Sequence, residues 1–149
     1  MASTREKVDA ERENISRALH DLQFALTRPQ ITVIEKAAIA TFMHNVYTGM
    51  ENILKQILKA KGATPPHTQT SHKDLLVLAV TEHIISQAVV DAIFPYLSFR
   101  HFFVHSYGFM LEEEPIERLA LNISVVYSNF EAEIEKAIHD LENTSAASE

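Results

Sequence analysis

The chain has 149 residues with three glycines, five prolines, no cysteine and a formal net charge of −7. A chain of this length predicts one domain, the scarcity of turn residues favours helices over an all-β fold, and the lack of cysteine excludes disulfides and thiolate metal sites. No run approaches the ~18 apolar residues of a membrane helix, and the first residues lack a signal-peptide core, so we expect a cytoplasmic protein without a membrane partner.

The negative charge is concentrated at one end of the chain. Residues 28–110 carry a net charge of +2 and six of the eight histidines, whereas residues 111–149 carry −8. A negative protein is normally a poor partner for nucleic acid, but the middle of this chain can still meet a phosphate backbone. The acidic end is interpreted either as a solvated helix face or as a surface that repels RNA or docks a basic partner.

Two long amphipathic helices are predicted first. Apolar residues recur every three or four positions from Thr4 to Leu26, and Pro29 ends this helix because the residue before a proline avoids the helical region. A second helix is predicted from about Thr32 to Lys61, with Gly62 as its stop signal.

The middle of the chain is broken by prolines. Residues 63–71 read as a polar loop, and Ser71 is a plausible N-cap for a short helix from Lys73 to about Val80. Residues 82–107 favour a helix that Pro95 kinks or restarts, because proline lacks a backbone donor.

The last predicted helix begins at Pro115, after three consecutive glutamates, and residues 143–149 are expected to form a frayed tail. There is no internal repeat and no strand-like alternation. The sequence therefore predicts residues 1–149 to form a single all-α domain, an up-and-down bundle of four long helices plus a short helix.

The stretch Ser98-Phe-Arg-His-Phe-Phe-Val-His-Ser-Tyr-Gly108 holds the densest mix of aromatic and titratable side chains. On a helix at 100° per residue, His101 and His105 share a face, whereas Arg100 and His105 lie about 140° apart. One straight helix therefore does not bring Arg100 and His105 together.

Three interpretations of this stretch compete. In the first, His101 and His105 bind a metal with Glu51 or Glu82 from facing helices, although no Glu-x-x-His pair on two helices supports such a site. In the second, the histidines and Arg100 are structural residues at the edge of the core. In the third, the stretch is a metal-independent phosphodiesterase site.

The phosphodiesterase interpretation rests on the chemistry of two residue types. Histidine can take a proton from a ribose 2′-OH or deliver one to the leaving 5′ oxygen at neutral pH, and arginine can stabilise the charge that develops on phosphorus. Because one helix separates Arg100 from His105, a second copy across a two-fold axis would be needed to build one cleft. This geometry predicts a homodimer.

The segment Arg100-His-Phe-Phe-Val-His105-Ser-Tyr107 resembles the Arg-x4-His-x-Tyr signature of HEPN-domain ribonuclease toxins of the HepT-like family. Two further segments are similar to the same family: Tyr47-Thr-Gly-Met-Glu51 in the second helix, and Ser71-His72-Lys-Asp-Leu-Leu, which lacks the family's tryptophan between its serine and histidine. Glu51 is interpreted either as a surface salt-bridge residue or as support for the site, together with Tyr47 and His72.

The resemblance implies a HEPN-type homodimer that cleaves transfer or messenger RNA without a metal or cofactor. Arg100 would stabilise the transition state, His105 would be the acid or base, and His101 would orient or assist. The partner implied is an MNT-type nucleotidyltransferase antitoxin that transfers AMP to Tyr107. The alternative is a non-catalytic HEPN helical module that binds nucleotides or a partner protein.

Overall fold

Five α-helices make up the part of the chain that the structure describes. The structure is a computed structural model that describes residues 2–66, 71–105 and 113–147, without the side chains of residues 102–105, 113–115 and 145–147. The helices are α1 (Thr4–Leu26), α2 (Val33–Ala60), α3 (Ser71–Thr81), α4 (Gln87–His105) and α5 (Glu113–Ala147). No strand occurs within the described ranges. The all-α bundle of four long helices and one short helix is confirmed.

Side-chain caps fix where the first two helices begin. Ser3 precedes α1, and its hydroxyl accepts a hydrogen bond from the backbone N–H of Glu6. Thr32 and Glu35 form a capping box at the start of α2, in which each side chain meets the other residue's backbone. Gly62 follows α2 with a φ of 81°, a left-handed conformation that glycine adopts without steric cost. The predicted bounds of both helices are confirmed to within a residue.

α2 lies at the centre of the bundle and contacts each of the other four helices. Its inward face is buried along almost the whole helix, and it provides many of the largest fully buried side chains, among them Tyr47, Met43 and Ile57. Burial of this extended apolar face is the main stabilising contribution, since apolar area removed from water contributes roughly 25 cal/mol per Å². α2 is therefore the central packing element of the described bundle.

α1 approaches α2 most closely at Gly49. A Cβ atom added to Gly49 would lie 2.5 Å from Cγ1 and 2.8 Å from Cδ1 of Ile15, which is itself buried. These distances are shorter than carbon atoms tolerate. The lack of a side chain at Gly49 is thus a packing requirement of the α1–α2 pair.

Gly49→Val is expected to lower the free energy of unfolding by about 1–3 kcal/mol, because overpacking forces the two helices apart. The matched control is Ala37→Val on the exposed side of α2, which introduces the same β-branched residue without a steric conflict. Urea unfolding followed by circular dichroism measures both. Equal denaturation midpoints for the two variants would contradict the close approach.

The acidic side of α5 meets two arginines of α1. Arg5 donates to Glu142 at 2.9 and 3.0 Å and to Glu135 at 3.1 and 3.2 Å, and Arg12 donates to Glu131 at 3.1 Å. The side chains of these pairs are only partly buried and remain accessible to water, so each pair contributes little to stability. Part of the negative charge of residues 111–149 is nevertheless balanced within the chain.

The turn between α3 and α4 differs from the prediction. Residues 82–86 are not helical, although Ile84 and Ile85 in this turn are buried. His83 adopts a φ of 59°, and the N–H of Ile84 donates to the carbonyl of Ala79 at 2.9 Å, which is how a helix usually ends at a glycine. Because a histidine occupies the glycine position, the sequence did not reveal this stop.

α4 starts at a serine cap and continues through its proline. The hydroxyl of Ser86 accepts from the N–H of Val89 at 3.2 Å and donates to Glu133 at 2.9 Å. The helix then continues past Pro95 to His105, so proline does not restart it. α3 begins at Ser71, two residues before the prediction.

α5 begins at Glu113, two residues before the predicted start, and it is helical through Asn143 up to Ala147. The frayed tail predicted for residues 143–149 stays a prediction. Near its beginning, α5 is tied to α4 by Tyr96, whose buried hydroxyl donates to the carbonyl of Leu119 at 2.8 Å. Burial raises the pKa of Tyr96 to about 12.

Candidate active site

Three polar side chains share one face in the middle of α2. His44, Tyr47 and Glu51 follow one another at spacings of three and four residues, which places them on one side of a helix. Tyr47 and Glu51 are almost fully buried, with 1% and 3% of their surface exposed. A buried carboxylate in a helical core requires hydrogen-bond partners, and here they come from two helices.

Glu51 accepts hydrogen bonds from α2 and α3. The hydroxyl of Tyr47 donates to its Oε2 at 2.6 Å, and Nδ1 of His72 lies 2.7 Å from Oε2 and 2.9 Å from Oε1. Burial raises the pKa of Tyr47, and the charge and hydrogen bond of Glu51 raise it further. The interpretation of Glu51 as a surface salt-bridge residue is therefore wrong, because Glu51 is buried and is held by hydrogen bonds from Tyr47 and His72.

Arg100 of α4 acts electrostatically on the same group. It is half-buried, and its positive charge lowers the pKa of both His44 and Tyr47, although burial is the largest influence on each. Glu51 opposes this influence and raises the pKa of His44. Residues of α2, α3 and α4 are thus linked by hydrogen bonds to Glu51 or by the charge of Arg100, and we call His44, Tyr47, Glu51, His72 and Arg100 the polar cluster.

The other residues of the signature follow Arg100 along the chain. His101 is exposed on this helix, and His105 is its last residue, with a side chain outside the described part of the structure. Tyr107 lies outside the described residues altogether. Because α4 is one continuous helix, the separation of about 140° between Arg100 and His105 around the helix axis follows directly.

His44 was not recognised from the sequence as a member of the site. The signal was present, since His44 is three residues before Tyr47 and seven before Glu51, on the same face of one helix. Histidines on a helix are common in structural roles, and the spacing becomes informative only when Arg100 is known to lie nearby.

A family model described as HepT-like protein matches residues 38–141. The chain belongs to the HepT-like family. Comparisons with curated proteins and with solved structures gave no match. The matched span begins within α2 and ends within α5, so it contains every residue of the polar cluster and leaves α1 outside.

Membership of the HepT-like family identifies the helical bundle as a HEPN-type fold and associates it with ribonuclease toxins of toxin–antitoxin modules. Throughout the described helices of this HepT-like protein, none is long and apolar enough to span a membrane.

The metal-site interpretation required Glu51 or Glu82 to join His101 and His105. Glu51 instead lies against Tyr47 and His72, and Glu82 lies in the turn after α3. Among the side chains that the structure describes in this HepT-like protein, no group of three or more histidines and carboxylates is arranged to hold a metal ion. The side chain of His105 is not among them.

Proposed function

We propose that this HepT-like protein is an endoribonuclease toxin that cleaves cytoplasmic RNA without a metal ion. The observation that carries the proposal is the Arg100-x4-His105-x-Tyr107 signature, whose arginine and histidine lie on α4 and whose arginine acts electrostatically on the buried Tyr47 of α2. A permanently charged guanidinium at the edge of a core is suited to a phosphate group.

The proposed reaction is an intramolecular transesterification of an RNA phosphodiester. The ribose 2′ oxygen loses a proton and bonds to phosphorus, the bond from phosphorus to the 5′ oxygen breaks, and that oxygen takes up a proton. The products are a 2′,3′-cyclic phosphate and a 5′-hydroxyl. Arg100 stabilises the charge on the phosphoryl oxygens, His105 exchanges protons and His101 orients or assists.

The protein works as a homodimer in this proposal. Arg100 and His105 lie about 140° apart around α4, and five residues span about 7.5 Å along a helix axis. Two copies of α4 facing each other across a two-fold axis would place an arginine of one protomer opposite a histidine of its partner. The one cleft between the two helices would then hold two arginines and two histidines, and so the pair that one helix keeps apart.

The first experiment incubates purified protein with total RNA in the presence of EDTA. Wild-type protein is expected to cleave RNA, and His105→Ala is expected to lose at least about 100-fold in rate, the contribution of a general acid or base. His139→Ala, which alters an exposed histidine of α5, is the control. Lack of cleavage by wild-type protein would favour the non-catalytic HEPN module, and loss of cleavage on chelation would restore the metal-site interpretation.

The partner proposed for neutralisation is an MNT-type nucleotidyltransferase antitoxin that transfers AMP from ATP to Tyr107. AMP placed two residues from His105 would add bulk and negative charge at the cleft, which repels the RNA backbone.

Tyr107→Phe is expected to remain toxic to an expressing host while escaping AMP transfer, because the variant lacks only the hydroxyl that accepts the nucleotide. Intact mass spectrometry after incubation with ATP and the antitoxin measures the transfer. Tyr127→Phe is the control and should still be modified at Tyr107. An AMP group on the Tyr107→Phe variant would show that another residue is the acceptor.

A further inference from the structure

Glu51 holds His72 in a defined orientation. A carboxylate only accepts hydrogen bonds, so the Nδ1 atom of His72, at 2.7 Å from Oε2, carries the proton in this contact. In the neutral imidazole the other nitrogen, Nε2, then has a lone pair and is able to take a proton. The tautomer is selected by a group that is itself buried and immobile.

The two side chains of the Glu51–His72 pair differ in their exposure to solvent. The side chain of Glu51 is 4% exposed and is also held by the hydroxyl of Tyr47, whereas the side chain of His72 is 33% exposed. Since the Nδ1 edge of the ring lies against Glu51, the exposed part of His72 is expected to carry Nε2. This is the arrangement of a histidine that a carboxylate orients for proton transfer.

The pair is linked to the signature arginine through Tyr47. Glu51 Oε2 is bonded to both His72 and Tyr47, and Tyr47 responds to the charge of Arg100. His72 is the second residue of α3, whose eleven residues present their N-terminal N–H groups at this end. Such an end attracts a phosphate.

We infer that His72, oriented by Glu51, is the general base that takes the proton from the ribose 2′-OH. This inference rests on the proposed ribonuclease function and deepens it, because it leaves His105 to donate the proton to the leaving 5′ oxygen. The 2′ proton moves to Nε2, the new bond from the 2′ oxygen to phosphorus forms, and the old bond to the 5′ oxygen breaks as that oxygen is protonated. The carboxylate of Glu51 stabilises the imidazolium that forms, and Glu51 is therefore a positioning residue.

The His72→Asn variant distinguishes a general-base role of His72 from a purely structural one. The amide nitrogen of asparagine can replace the Nδ1–H donor to Glu51, but nothing replaces Nε2. The kcat for cleavage of a model RNA is expected to fall about 10²- to 10⁴-fold, while the Kd for the same RNA with a 2′-O-methyl group at the cleaved linkage stays within threefold. The control is His20→Asn, which alters an exposed histidine beside Asp21 on α1.

A change of leaving group distinguishes the base from the acid. In an RNA with a bridging 5′-sulfur at the linkage that the wild-type protein cleaves, the sulfur departs without protonation. His105→Ala is expected to recover cleavage of this substrate to within about tenfold of wild type, whereas His72→Asn stays inactive. Recovery of the His72→Asn variant would overturn the inference, because His72 would then be the acid.

Replacing His72 with Nε2-methylhistidine covers the case in which the asparagine variant fails to fold. The ring and its Nδ1 contact are kept, and only the proposed proton acceptor is blocked. Suppose that either folded variant at position 72 cleaves RNA within threefold of the wild-type rate, while Arg100→Ala and His105→Ala lose cleavage. That result would refute the role of His72 and leave the proposed ribonuclease function standing. If those two variants also cleave normally, the proposed function itself fails.

Discussion

Arg100→Ala is expected to reduce the rate of RNA cleavage by at least about 100-fold and to abolish toxicity. Removing one group that stabilises the transition state of an enzyme typically costs 10²- to 10³-fold in kcat. The reason to expect it here is that Arg100 is half-buried, so its charge is less screened by water than that of an exposed arginine. Single-turnover cleavage of a labelled RNA measures the rate.

The Arg100→Ala variant can also be tested by a measurement that does not depend on activity. The charge of Arg100 lowers the pKa of His44, so Arg100→Ala should raise that pKa, which NMR titration of the imidazole protons measures. Arg100→Lys is the matched control: it keeps a positive charge, and with it a low His44 pKa, but loses the planar fork that binds two phosphoryl oxygens. Normal cleavage by Arg100→Ala would contradict the assignment of this residue.

Glu51→Ala is expected to lower the free energy of unfolding by about 2–5 kcal/mol. The substitution removes a buried side chain and leaves the buried hydroxyl of Tyr47 without its acceptor, and both changes are costly. Urea unfolding measures the loss. An unchanged denaturation midpoint would mean that Glu51 is not the buried acceptor described above.

A second substitution measures how much the Tyr47 hydroxyl contributes to this loss of unfolding free energy. Adding Tyr47→Phe to Glu51→Ala removes the unsatisfied donor and should restore about 1 kcal/mol, whereas Tyr47→Phe alone should destabilise the protein. Additive effects of the two substitutions would contradict the hydrogen bond between these residues.

The sequence predicted the ends of α1 and α2 well because the signals there are local. Pro29 stops one helix, Thr32 and Glu35 cap the next, and Gly62 follows it. The stop after α3 was missed because His83 takes the left-handed conformation that a glycine usually provides. That choice depends on the burial of the neighbouring Ile84 and Ile85, which a local pattern does not contain.

The sequence indicated four of the five residues of the polar cluster, but not the contacts between helices that join them. Tyr47, Glu51 and His72 were selected by resemblance, yet the burial of Glu51 and its bond to His72 join positions 21 residues apart, on two helices. Spacing along one helix predicts which side chains share a face and says nothing about the facing helix. For the same reason His44 gained meaning only when Arg100 was found to influence it.

The position of α2 also has a consequence for regulation. A helix that contacts every other helix in the bundle, and that carries three members of the polar cluster, leaves little freedom to inactivate the site by rearrangement. Because protein interiors are closely packed, shifting these side chains would disturb the core throughout the molecule. Obstruction of the proposed cleft from outside requires no such disturbance, so the packing of α2 favours a covalent modification of the kind proposed for Tyr107 over an allosteric signal.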